Sequence, residues 1–113
     1  MEPNFHSIFA VNDLLTDDET VADALLQSCR RHTPRQPIAL CQLGAQFVVT
    51  LKPANHPPAD LRFVHLTNFD ADTMVATLHE RWMGGYDPVG LVTDQDENGN
   101  LHGFLLVLKE FDD

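Results

Sequence analysis

The chain has 113 residues, the size of one ordinary domain with its own core. Hydrophobic residues make up 43% and charged residues 21%, a globular balance that argues against wholesale disorder, and no apolar run is long enough to span a bilayer. Seventeen Asp and Glu against seven Lys and Arg give a net charge of −10, which disfavours direct nucleic-acid binding and anionic membrane surfaces, because both require positive charge.

Met1-Glu2-Pro3-Asn4 lacks the basic region of a signal peptide, so a cytoplasmic location is expected. Phe5 to Val11 is rich in strand formers and Asn12-Asp13 breaks it. Thr16 and Glu19 have the spacing of a capping box, which satisfies free amides at a helix start. The helix then runs to about Arg31, with Val21, Leu25 and Cys29 on one stripe and Ala22 and Leu26 beside it. The basic group Arg30, Arg31, His32 and Arg35 falls where this helix ends, as charge complementing its C-terminus. Thr33-Pro34 stops the helix, and two strands follow with a turn near Gly44. Cys29 and Cys41 have no ligand-like spacing and read as reduced thiols.

Residues 53–60 carry three prolines and read as a linker. Leu61 to Thr67 is the next strand and Asp70 an N-cap. Ala71, Met74, Val75, Leu78 and Trp82 form the apolar face of a second helix, closed by Gly84-Gly85. Strands over roughly 86–93 and 101–110 flank Asn98-Gly99, a hairpin signal.

The two parts read alike. Pro37 to Cys41 and Phe47 to Lys52 match Pro88 to Val92 and Phe104 to Lys109, with six extra residues in the second hairpin. The expected fold is therefore α+β: one domain over 1–113, about six largely antiparallel strands and two helices, a duplicated strand–helix–strand–strand unit with halves 4–52 and 61–111. Its strands would form one sheet with both helices on one face. In element order alone this resembles the duplicated modules of gyrase-inhibitor-like ligand-binding domains; no sequence motif of that family is matched.

Phe104 to Leu108 is apolar on both faces, and so are Phe47 to Leu51 in part. Two helices on one face leave the other face to be covered. Val48, Leu105 and Val107 point to a homodimer packed sheet to sheet.

Asp94, Asp96, Asn98, Gly99 and Asn100 copy the first half of a calcium loop, but position twelve is Leu105 where a bidentate Glu belongs, and the flanks are strands. The same residues make a polar hairpin turn, so no metal and no cofactor are assigned. The six histidines form no ligand pair along the sequence; His65 and His79 meet if the fourth strand lies under the second helix. Trp82, Tyr86 and Met74, with His65 and His79, are candidates for a small-molecule pocket. No nucleophile elbow, phosphate loop or dinucleotide fingerprint occurs. The expected function is a non-catalytic binding or regulatory domain, homodimeric, taking a small apolar ligand or a partner. Two alternatives stand beside it. One is an acidic immunity or inhibitor protein for a basic toxin or nuclease, with carboxylates concentrated at 13–23, 94–97 and 110–113. The other is a small enzyme with a His/carboxylate site at a dimer cleft.

Overall fold

The strand formers, caps and turns named above produce eight elements in a computed structural model that describes residues 5–31, 33–68 and 70–110. In chain order they are β1 (Phe5–Ala10), α1 (Val11–Arg30), β2 (Arg35–Leu43), β3 (Gln46–Pro53), β4 (Asp60–Leu66), α2 (Ala71–Met83), β5 (Tyr86–Gln95) and β6 (Leu101–Lys109). All strand pairs are antiparallel. His32, Asp112 and Asp113 lie outside the described residues, and so does the part of the basic group and of the acidic C-terminal run that they carry.

The six strands form two three-stranded sheets, ordered β1-β3-β2 and β4-β6-β5, and not the single sheet expected. The reason lies on the two strands that adjoin. β2 and β5 run close together, yet each carries a proline and a register shift, at Pro37/Ala39 and at Pro88/Gly90. A proline has no N–H to donate and a bulge breaks the ladder, so neither edge continues into the other. Side chains close the seam instead. The Gln42 amide donates to the Thr93 carbonyl at 2.7 Å, and its oxygen accepts the Thr93 N–H at 3.0 Å.

The helices do not share one face. α1 lies in the angle between the sheets, burying Val11, Leu14, Val21, Leu25 and Cys29 against Phe47, Val49 and Leu51 of β3 and against Leu61, Phe63, Leu106 and Leu108 of the second sheet. Phe47 meets Phe63 edge to face across the sheets, with ring centroids 6.1 Å apart. Each fully buried Leu or Phe of this kind contributes roughly 1.5–3 kcal/mol of transfer free energy. α2 covers the opposite face of the second sheet, where Met74, Leu78 and Tyr86 pack on Val64, Leu66, Leu105 and Val107. The two halves thus share strand order but place their helices on different faces of matching strands, and the duplication is not established by the fold.

Local chemistry sets the element ends. Asp17, one residue beyond the expected cap, is the true break in α1. Its backbone is extended (φ −162°, ψ 90°), and its carboxylate accepts the Thr20 N–H at 3.3 Å and the Thr20 hydroxyl at 2.7 Å. Thr16 instead donates to the Asn12 carbonyl inside the short leading turns. Asp70 caps α2 by accepting the Thr73 N–H at 2.7 Å. Gly85 takes φ +88° just past the end of α2, the left-handed conformation that glycine adopts without strain.

Candidate functional site

β4 is the outer strand of the second sheet, and a cleft of about 520 Å³ follows it. Six consecutive residues of β4, Asp60 to His65, form one wall. Asp18, Glu19, Ala22 and Asp23 of α1 form the other, and Arg81 of α2 also lines the cleft. The spacing of the α1 residues puts them on one helical side. Asp17 as a cap starts the main helix so that this side looks along β4. Ala22 is buried, and its small side chain leaves the cleft its depth.

Asp60 and Arg62 are already engaged. Arg62 Nε sits 2.6 Å from Asp60 Oδ2, the Tyr86 hydroxyl donates to the same oxygen at 2.5 Å, and the guanidinium lies over the Tyr86 ring at 5.6 Å. Partial burial pushes the Asp60 carboxyl upward, but the hydrogen bonds from Tyr86 and Arg62 outweigh it and hold the group below the ordinary value. Burial and the bond to Asp60 push the Tyr86 phenol up. The α1 carboxylates therefore dominate the remaining charge of the cleft.

At the far end of β4, His65 enters a chain of three polar side chains. Asp96 Oδ2 lies 2.8 Å from His102 Nε2, and His102 Nδ1 lies 2.8 Å from His65 Nε2. The ring of His65 is stacked flat on Phe104, with centroids 4.8 Å apart and planes 5° from parallel. With both rings neutral, these contacts set the tautomers. Asp96 accepts only, so His102 carries its proton on Nε2 and presents a lone pair on Nδ1. His65 then donates from Nε2, and its Nδ1 is left as an acceptor. The hydrogen bond from His102 holds the Asp96 carboxyl below its ordinary value. No hydroxyl or thiol among the described residues hydrogen-bonds to His65.

The residues singled out in the sequence fall in several places. Met74 and Tyr86 pack together on the α2 side of the second sheet. Trp82 is 63% exposed on α2, tilted against His79 with centroids 6.4 Å apart. His65 meets His102 rather than His79, on the sheet face turned away from α2. The five are not brought to one pocket. In the 94–100 loop, Asp96 Oδ1 accepts the N–H groups of Asn98 and Asn100, both at 2.9 Å, and Asp94 Oδ1 accepts that of Gln95. The carboxylates thus cap their own hairpin. Leu105 and Val107 lie beneath α2, so their surface is covered within the chain, while Val48 stays on an open face. The Asp96–His102–His65 chain was missed because it depends on β4–β6 register. Two histidines with the face parity of Phe104 in neighbouring strands would have been its signal.

No protein-family model, curated protein or solved structure compared with this chain matches it. Among the described residues, no helix is long and apolar enough to cross a membrane.

Proposed function

We propose that this protein is a non-catalytic binding domain that works as a homodimer, packed through the outer face of β1-β3-β2. One observation carries the reading. Ile8, Val48 and Cys41 lie side by side across the three strands, with Ala10, Ala39 and Leu43 around them, and no described element covers them. Ile8 is 64% and Leu43 66% exposed. The corresponding face of the second sheet is roofed by α2. An apolar patch left open on a sheet face, here bordered by the His6–Thr50 pair and Gln46, is a mark of an interaction surface, and a symmetric pair covers two such patches at once. Light scattering coupled to size exclusion tests this directly. A dimer mass at low and high salt is expected, converted to monomer by Ile8→Asp with Val48→Asp. A monomer for the unaltered protein at high concentration sinks the reading.

A second reading, an acidic inhibitor of a basic protein, draws on the carboxylates of α1 along the cleft. It predicts a partner on-rate that drops steeply as salt rises. A salt-insensitive on-rate would count against it.

A further inference from the structure

We propose that the cleft beside β4 is a strand-addition site for an extended, basic peptide segment of another protein. It uses the free edge of the second sheet and is separate from the outer face of the first sheet, so it stands whether or not the protein dimerises there.

The argument begins with the backbone. An edge strand presents alternate N–H and C=O groups away from its only neighbour. β4 pairs with β6 on one side, and among the described residues no other element hydrogen-bonds to its backbone within 60–66. Such edges are protected by charged side chains, bulges, prolines or a covering element, and β4 carries charge only at its start, in the Asp60–Arg62 pair. Here α1 packs on the Leu61–Phe63 face of β4, and its Asp18, Glu19, Ala22 and Asp23 line, with six consecutive residues of the strand, a cleft of about 520 Å³. A groove between an edge strand and a helix is one of the recurring geometries for an added strand: the main chain supplies hydrogen bonds, and side chains at alternate positions reach the groove walls.

The wall opposite β4 chooses the sign of the partner. Asp18, Glu19 and Asp23 line the groove, Arg62 is paired with Asp60, and Arg81 is the further cation on the lining, so the carboxylates outnumber it. A peptide lying along β4 with a lysine or arginine at every second residue sets its cations against α1. Acidic peptides would be repelled, as would nucleic acid, by the net charge of −10.

The test uses the full-length, isotope-labelled protein and an acetylated, amidated six-residue peptide of alternating lysine and valine. Its controls are the glutamate–valine counterpart and a lysine–valine peptide N-methylated at alternate backbone amides. Amide shifts over 60–66 and 18–23 are expected with the first peptide, together with slowed solvent exchange at alternate β4 amides. The glutamate peptide should not bind. N-methylation removes backbone donors on the pairing side and should weaken binding by about tenfold. The triple variant Asp18→Asn, Glu19→Gln, Asp23→Asn should weaken it several-fold and flatten its salt dependence, with the rest of its spectrum showing that it folds. Equal binding of the N-methylated peptide overturns strand addition. So do shifts confined to β1 or to the Ile8–Val48–Cys41 face, or no shift at millimolar peptide. Concentration-dependent shifts at β4 in the protein alone would assign the edge to a second copy and likewise overturn the proposal.

Discussion

The side chain of Gln42 pairs with the backbone of Thr93 as a neighbouring strand would, giving one hydrogen bond and receiving one. This one amide does at the β2–β5 seam what a ladder does inside each sheet. Gln42→Ala leaves the Thr93 N–H and carbonyl without their partner in a part-buried place, and a loss of about 1–3 kcal/mol in urea unfolding is expected. Gln42→Glu keeps the acceptor but sets a carboxylate oxygen against the Thr93 carbonyl, so it should cost at least as much. A Gln42→Ala variant as stable as the unaltered protein would show that water replaces the amide at no cost.

Gly90 stands on the same seam. A Cβ built there would come within 2.9 Å of Leu40 Cβ, closer than side chains tolerate. Gly90→Ala should therefore destabilise by about 1–3 kcal/mol through overpacking. Leu40→Gly removes the Cβ that is met, and a favourable coupling between the two changes in a double-mutant cycle is expected. Additive effects would place the cost in the strand backbone rather than in the contact.

Acid should unfold the protein through a small set of carboxyls. The Thr20 hydroxyl holds Asp17 low, the Thr73 N–H holds Asp70 low, and His102 holds Asp96 low, each below the ordinary 3.8. A group whose folded value is depressed stabilises fully above its unfolded value, and that stability is lost as pH falls through the folded one. The melting temperature should therefore drop with growing slope once the pH passes below 3.8, and Asp96→Asn should flatten part of the slope. A melting temperature unchanged down to pH 2 would contradict this.

The histidine chain has its own signature. Nitrogen-detected spectra at neutral pH should show His102 with its proton on Nε2 and His65 likewise. Asp96→Asn can offer either an oxygen or an amide to His102, so the second tautomer should appear. A mixture of tautomers in the unaltered protein would mean that the 2.8 Å contacts do not persist in solution.

The thiols should separate cleanly. Burial pushes the Cys29 thiol up to about 11, while Cys41 is exposed on the open sheet face. A disulfide reagent should modify Cys41 alone until the protein unfolds. In a dimer packed through that face, Cys41 should slow as concentration rises.

Several features were legible because they are local. Asp70, Gly85 and Gly99 announce a cap, a helix end and a hairpin within a few residues of sequence, and each does that task. The stripe through Val21, Leu25 and Cys29 announces the buried side of α1. What that stripe packs against was not legible, since a period of 3.6 is satisfied by one sheet or by two. The break at β2–β5 turns on Pro37 and Pro88, which in sequence look like matching strand starts rather than the ends of a ladder. Thr16 and Asp17 are both good caps, and the Thr20 hydroxyl decides between them. Leu105 and Val107, expected on a dimer face, are covered by α2 instead, because the helices divide between faces.

Since α1 supplies the centre of both sheets, neither stretch of chain on either side of residues 54–59 can close its own interior. Cutting the backbone there should give two fragments that are each unstructured alone yet reassemble on mixing, with the second fragment recruiting Leu25 and Cys29 from the first. The protein would then melt as one unit despite having two sheets.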